Sequence, residues 1–386
     1  MKKLTHRERV VRALNHQEPD RVPLDLGGPI SSMMEIAYWN LKKYLGMSDD
    51  SGTKVSSWGV IKYYDERVLE YLDIDIRHIF PNESERNGLV YSADGTWTDE
   101  FGIVWRKTPN PFGYYSEMIA HPLEGSDIYD LEKFDWPDPD DSSLYSGIRE
   151  SVEDIFHNTD YAIAAAAVAG GLFETAQWLR GMDQFLIDIK TNKNFVLKLL
   201  EKICEFEESI WGNFLDIVGS FIHIVERTDD FGMQTGLMIS LETYREIIKP
   251  FHKRVLDLIK SKTKAKILHH SCGSIVDLID DLIDIGVDII NPIQPFAYGM
   301  EDPLVLKKRF GDRVIFHGGI DQQNVLPSGT LEDVEEEVKK RIKGFAPGGG
   351  YILAAAHNIQ DDTPPQNVIA MFETAKSYGR YPITIE

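Results

Sequence analysis

The 386 residues suffice for one large α/β unit with insertions, and a single domain over 1–386 is expected. Lys plus Arg number 41 against 62 Asp plus Glu; the resulting net charge of −21 argues against nucleic acid or an acidic membrane surface as a partner. Two cysteines, Cys204 and Cys272, exclude a disulfide framework, and the charged N-terminus MKKLTHRERVVRA lacks a hydrophobic signal core, so a cytoplasmic enzyme is expected.

Thr5 and Glu8 make a capping-box pattern ahead of Val10, Val11 and Leu14, so the chain opens on a helix, which Pro19 and Pro23 stop. VPLDLGG at 22–28 reads as a first strand ending in a glycine turn. Helical spacing over 61–72 leads into a second strand at 73–81. Residues 88–122 change character. Asp94-Gly95 is a hairpin signal, and Trp97, Phe101, Trp105, Tyr114 and Tyr115 lie along alternating stretches, which predicts an antiparallel hairpin insertion with an aromatic face. PDPDDSS at 137–143 reads as a surface linker.

From residue 160 onward, apolar strand-like runs alternate with amphipathic helices. The runs are 162–170, 223–230, 264–273, 287–292, 314–321 and 351–359. Cys204 falls on a helical core face. Thr330 caps a later helix, and the last helix is expected to start at Thr363, with Pro364 in its first turn and Gln366 closing a capping box. With the two early strands the count reaches eight, which predicts a (β/α)8 TIM barrel with an N-terminal extension.

Such barrels carry their chemistry at the carboxyl ends of the strands. Those ends hold Asp75 and His78; Gly170-Gly171; Asp229, Asp230 and Gln234; His270 and Cys272; Asn291 and Gln294; His317 and Asp321; His357 and Asn358. In KAKILHHSCG at 264–273, His270 and Cys272 are two residues apart and so share a face, with Ser274 expected to cap the following helix. His357 on the last strand can add a third donor, a set that suits Zn²⁺ with one open position. The alternative is that this H-x-C pair merely packs. Asp229 and Asp230 can bind substrate, support a metal ligand or act in acid/base chemistry; equally they can cap a helix and solvate a turn.

Five segments, RERVVRALNHQEPDRVP at 7–23, TDDFGMQTGLMIS at 228–240, HSCG at 270–273, FHGGID at 316–321 and HNIQDDTPPQNV at 357–368, together resemble the uroporphyrinogen decarboxylase superfamily. That superfamily includes the decarboxylase and the zinc-dependent, corrinoid-linked methyltransferases. The decarboxylase is marked by M-R-Q-A-G-R, whose guanidiniums clamp porphyrin carboxylates; the matching stretch here, DLGGPISSMMEIAYW at 25–39, has no arginine. The methyltransferases are marked by H-x-C and a third zinc ligand on the last strand, usually cysteine. Here His270 and Cys272 match, and His357 stands in the third position.

The resemblance implies a methyltransferase that uses Zn²⁺ held by His270, Cys272 and His357, together with cobalamin or another corrinoid carried by a partner protein. The expected reaction is O-demethylation, moving a methyl group from a methoxylated aromatic to Co(I). Asp230 with neighbouring Asp229, and His317 or Asp321, are the candidate proton donors or orienting groups. Tyr38, Trp39, Trp97, Gln234 and Asn291 are the candidate substrate contacts. Two alternatives stand: methyl transfer from the corrinoid to a thiol or tetrahydrofolate, and a metal-independent decarboxylase of a small or tetrapyrrole acid. A homodimer through the aromatic insertion is a further expectation.

Overall fold

The structure, a computed structural model, describes residues 3–86, 88–168 and 170–383. Seven parallel strands form one curled sheet: β1 (Ile76–Ile79), β2 (Ala162–Ala165), β3 (Ile224–Thr228), β4 (Lys266–His270), β5 (Ile289–Asn291), β6 (Ile315–Ile320) and β7 (Tyr351–Ala355). Each strand pairs with the next in sequence, as right-handed β-α-β connection favours. Ala169, within the expected strand at 162–170, lies outside the described residues.

The eighth stave is the segment around Leu24. It bridges Leu353 of β7 in parallel, and its carbonyl accepts the Asp75 N–H just before β1. It forms no regular ladder because Pro23 has no N–H to give, and the Leu24 N–H donates to the Asp75 carboxylate instead. The result is the expected (β/α)8-type barrel, closed by an irregular first strand.

Period-two alternation divides the barrel interior into layers. Ile76, Ala162, Ala164, Ile224, Leu268, Ile289, Ile315 and Ile352 form one apolar cluster together with Val10 and Leu14. Those last two come from the helix His6–Leu14, which begins with the predicted Thr5–Glu8 capping box. Two residues further along their strands stand His78, Glu226, His270, Asn291 and His317. The apolar layer thus carries a polar one on the carboxyl side, at the mouth.

The N-terminal helix is tied to the barrel by charge. Asp75, fully buried, accepts from Arg9 (2.6 Å), Arg21 (2.7 Å), His6 (2.8 Å) and the Leu24 N–H. Burial opposes its ionisation, yet the two guanidiniums hold its carboxyl below the ordinary range.

The insertion is a four-stranded antiparallel sheet of Val90–Tyr91, Thr96–Thr98, Val104–Pro109 and Tyr114–Ala120. Its aromatic face turns inward: Trp97 stacks on its cross-strand partner Trp105 at 6.3 Å, and both are buried. Cys204 is buried on the long helix Lys193–Val218, as expected. Among the described residues no helix is long and apolar enough to cross a membrane.

Three expected helix starts move. Residues 61–63 form a short strand against Lys54–Val55, and the helix begins at Glu66, where the Asp65 carboxylate accepts the Arg67 N–H. The helix after β4 begins at Ile279, not after Ser274, whose hydroxyl donates to the Tyr298 carbonyl. The last helix runs Pro365–Tyr378 without a capping box. Pro365 pushes Pro364 into an extended conformation, so the helix begins one residue past the first proline.

Candidate metal centre at the barrel mouth

β4 brings Leu268 and His270 to the interior, and the chain continues beyond it to place Cys272 beside His270, with the His270 Nε2 3.4 Å from the Cys272 Sγ. His357 follows β7, its ring centred 5.4 Å from that of His270. One donor atom from each of the three lies within 4.8 Å of the others; His270 is buried while Cys272 and His357 are half-buried. Nitrogen and sulfur sharing a tetrahedral zinc would stand about 3.6 Å apart, given ordinary bond lengths. The donor set therefore fits zinc in both chemistry and spacing, with its half-buried members leaving one side open.

Protonation agrees in one respect and poses a demand in the other. Burial and the nearby His270 push His357 down to about 4, leaving a neutral imidazole with a lone pair to offer. Burial, with the negative charges of Asp230 and Glu174, pushes the Cys272 thiol well up, so the thiolate needs a cation beside it.

The tautomer of His270 is fixed from the far side of the barrel. Asp25 is buried, and His78 and His317 hold its carboxyl below the ordinary range although burial opposes this. An ionised carboxylate only accepts, so His317 Nε2 donates to the Asp25 Oδ2 at 2.9 Å, while the Asn291 amide nitrogen, which also reaches the His317 carbonyl at 3.4 Å, faces His317 Nδ1. Asn291 then presents its Nδ2 to that atom at 2.7 Å and its Oδ1 to the His270 Nδ1 at 2.5 Å. His270 Nδ1 therefore donates to Asn291, and Nε2, facing Cys272, is the atom turned towards a metal.

The other expected site residues divide by position. Asp230 is at the triad: its Oδ1 accepts the Cys272 N–H at 2.7 Å and lies 3.8 Å from the His270 Nε2. Asp229, fully buried, points away. Its carboxylate accepts from the N–H groups of Leu172 (3.0 Å), Phe173 (2.9 Å) and Glu174 (2.8 Å), and the His252 Nε2 is 2.7 Å away. The helix Leu172–Arg180 starts at Gly171, which has no side chain to cap it; at φ +84°, with a Cβ there only 2.1 Å from the Thr228 carbonyl, nothing but glycine fits. Asp229 supplies the missing cap from the neighbouring strand. Burial pushes its carboxyl up to about 7 against the pull of the backbone donors.

Asp321 is occupied by its own turn, accepting from the Gln323 and Asn324 N–H groups. His317 and Asn291 are buried members of the relay, with no face open to a substrate. Tyr38 is a core residue whose hydroxyl accepts the Asp65 N–H, and Trp97 is buried under the insertion, so neither lines a pocket. Trp39 is half-buried beside Glu35 and Lys42, and Gln234 is exposed, its carbonyl accepting the Tyr298 N–H.

Glu174 and Glu226 were not anticipated. Glu174, at the third position of its helix, is raised well above the ordinary range by burial and by Asp230 and Asp229. Its signal was the Gly-Gly before an amphipathic run, which places a helix start at a strand's carboxyl end. Glu226 had a period-two signal, since it stands two residues after the inward Ile224 and so shares its face.

A family profile described as "Uroporphyrinogen decarboxylase (URO-D)" matches residues 118–378. A methylcobamide:CoM methyltransferase, MtbA of Methanosarcina mazei, is 27% identical over 210 residues, 54% of this chain and 56% of that protein. The match thus spans little more than half of that relative. A uroporphyrinogen decarboxylase of Magnetococcus marinus is 23% identical, covering 65% of this chain and 68% of its own. A methylated-thiol–coenzyme M methyltransferase, also from M. mazei, is 22% identical over 66% and 65%. A solved structure described as a methyltransferase from M. mazei superimposes with a TM-score of 0.65 at 14% identity, covering 97% of this chain and 99% of that one, a likeness of fold.

Proposed function

We propose, for a chain that belongs to the uroporphyrinogen decarboxylase family, that it is a zinc-dependent methyltransferase working with a corrinoid carried by a separate protein. The observation that carries this reading is the convergence of His270, Cys272 and His357 at the barrel mouth. The missing arginine clamp at 25–39 weighs against a porphyrin acid as substrate.

Zinc bound there would polarise the oxygen of a methyl ether as a Lewis acid while the methyl group leaves for Co(I) of the partner. The protein's own contributions can be named. Asn291, His317 and Asp25 hold the His270 ring in one tautomer, and Asp230 braces the Cys272 backbone; it is the group that would pass a proton from solvent to the departing oxygen. Two neutral imidazoles and one thiolate leave a more positive site than two thiolates would, which favours an ether donor, as in a methoxylated aromatic. The second reading, methyl transfer to a thiol, draws on the similarity to the methylcobamide:CoM and methylated-thiol–coenzyme M methyltransferases.

Metal content of the purified full chain, with Cys272→Ser as control, comes first. Mixing with Co(I) cobalamin and methoxyarenes, or with methylcobalamin and thiols, follows, read by the loss or the appearance of Co(I) absorption. Thiolate-dependent zinc and consumption of Co(I) with methoxyarenes are expected; release of Co(I) from methylcobalamin with the thiols alone selects the second reading. Full activity of zinc-stripped protein would reject both and favour a metal-free lyase.

A further inference from the structure

Asp25, where the relay ends, also faces His78 of β1 and Glu226 of β3. The His78 Nε2 is 3.0 Å from the Glu226 Oε1 and 3.6 Å from the Asp25 Oδ2, and one donor atom of each of the three lies within 4.8 Å of the others. Both carboxylates are 1% exposed, and each keeps one oxygen, Asp25 Oδ1 and Glu226 Oε2, that no hydrogen bond reaches. Buried carboxylate oxygens are costly when left without a partner.

Charge points the same way. Asp75, elsewhere in the barrel, is met by two guanidiniums. Among the described residues, the ion pairs of Asp25 and Glu226 are with His78 and His317 alone, and no lysine or arginine joins them. With His317 neutral, as the relay has it, a single protonated His78 does not balance two carboxylates, whereas one divalent ion does. The loop beside the cluster is pared back: Gly28, at φ +68°, lies so near that a Cβ there would come within 2.6 Å of the free Glu226 oxygen.

We propose that Asp25, His78 and Glu226 form a second divalent-cation site, separate from the zinc triad and suited to an oxygen-preferring ion such as Mn²⁺. Two monodentate carboxylates and one imidazole around an ion at about 2.1 Å give nitrogen–oxygen edges of roughly 3.0–3.4 Å; the His78 Nε2 stands 3.0 Å from Glu226 and 3.6 Å from Asp25, so the ion would draw Asp25 slightly inward. Binding forms two metal–oxygen bonds and one metal–nitrogen bond, and the Nε2 proton of His78 leaves to solvent. The thiolate triad and this carboxylate-rich set differ in softness, so one chain can sort two metals. Asp25 serves both centres, since its Oδ2 anchors the relay that orients His270. The inference does not depend on the methyl donor.

The test uses the full-length Cys272→Ser protein, stripped of zinc and titrated with Mn²⁺, following the electron paramagnetic resonance signal of the free ion. About one Mn²⁺ per chain is expected, with nitrogen coupling from a single imidazole in the pulsed spectrum. Glu226→Gln and His78→Gln, each added to that background and checked for fold by circular dichroism, are expected to weaken binding at least about tenfold. If the folded Cys272→Ser protein takes up no Mn²⁺, His78 is the sole counter-ion of the two carboxylates and the proposal fails. It fails equally if the bound ion shows no nitrogen coupling, a readout that needs neither added variant to fold. The zinc reading stands or falls separately, on the thiolate-dependent metal of the wild-type chain.

Discussion

Replacing Asn291 by alanine tests whether the relay prepares His270 for a metal. The side chain is wholly buried and makes two bonds along the relay, at 2.5 Å to His270 and 2.7 Å to His317. Without it nothing fixes the His270 tautomer or ring angle. Removal of such a supporting partner typically costs 10–100-fold in metal affinity, equivalent to about 1.4–2.8 kcal/mol. The imidazole nitrogens it served are left buried and unpaired, so global stability should also fall, by roughly 1–3 kcal/mol for each group that finds no new partner. Competition for zinc between the protein and a chromophoric chelator gives the affinity, and urea denaturation the stability. Asn291→Asp retains an acceptor towards His270 and should keep more of the affinity than alanine does. If Asn291→Ala binds zinc within about twofold of wild type while His270→Ala binds none, the relay plays no part in shaping the ligand.

Two further outcomes follow from burial. Asp75→Asn keeps the shape but removes the charge between Arg9 and Arg21; a loss of about 3–5 kcal/mol in urea unfolding is expected, and a change under about 1 kcal/mol would mean that solvent reaches the cluster. His223, whose Nδ1 accepts the Ile163 N–H, is pushed down to about 4 by burial and by Arg7. It is neutral in the folded state and takes up a proton more readily when unfolded, so its contribution is complete above about pH 6.5 and is lost as pH falls towards 4. The shift corresponds to at most roughly 3 kcal/mol. His223→Asn should flatten the acid limb of stability against pH relative to wild type over that window, and superimposable limbs would refute the assignment.

The staves could be read from the sequence because parallel strands buried on both faces appear as apolar runs bounded by turns. The triad's first pair could be read for a similar local reason, since His270 and Cys272 share a face by period alone. The relay could not. Its members, Asp25, His270, Asn291 and His317, come from four staves, and chain spacing holds no record of which inward-facing groups meet across a barrel. Asp229 shows the same limit: a helix cap was among its readings, but the helix it caps begins 57 residues earlier in the chain. The aromatic insertion was recognised as a face, but alternation cannot say which way a face turns, and Trp97 with Trp105 turns inward.

Closure through Leu24 and Leu353 has a consequence for biosynthesis. The stave that emerges first waits for a neighbour about 330 residues behind it, roughly 16–66 s at ordinary elongation rates. Throughout that interval the growing sheet has two unpaired margins, each able to recruit another nascent chain. Ribosome-bound intermediates ending before residue 350 should therefore be the species that associate with chaperones most strongly, and release should coincide with the arrival of β7.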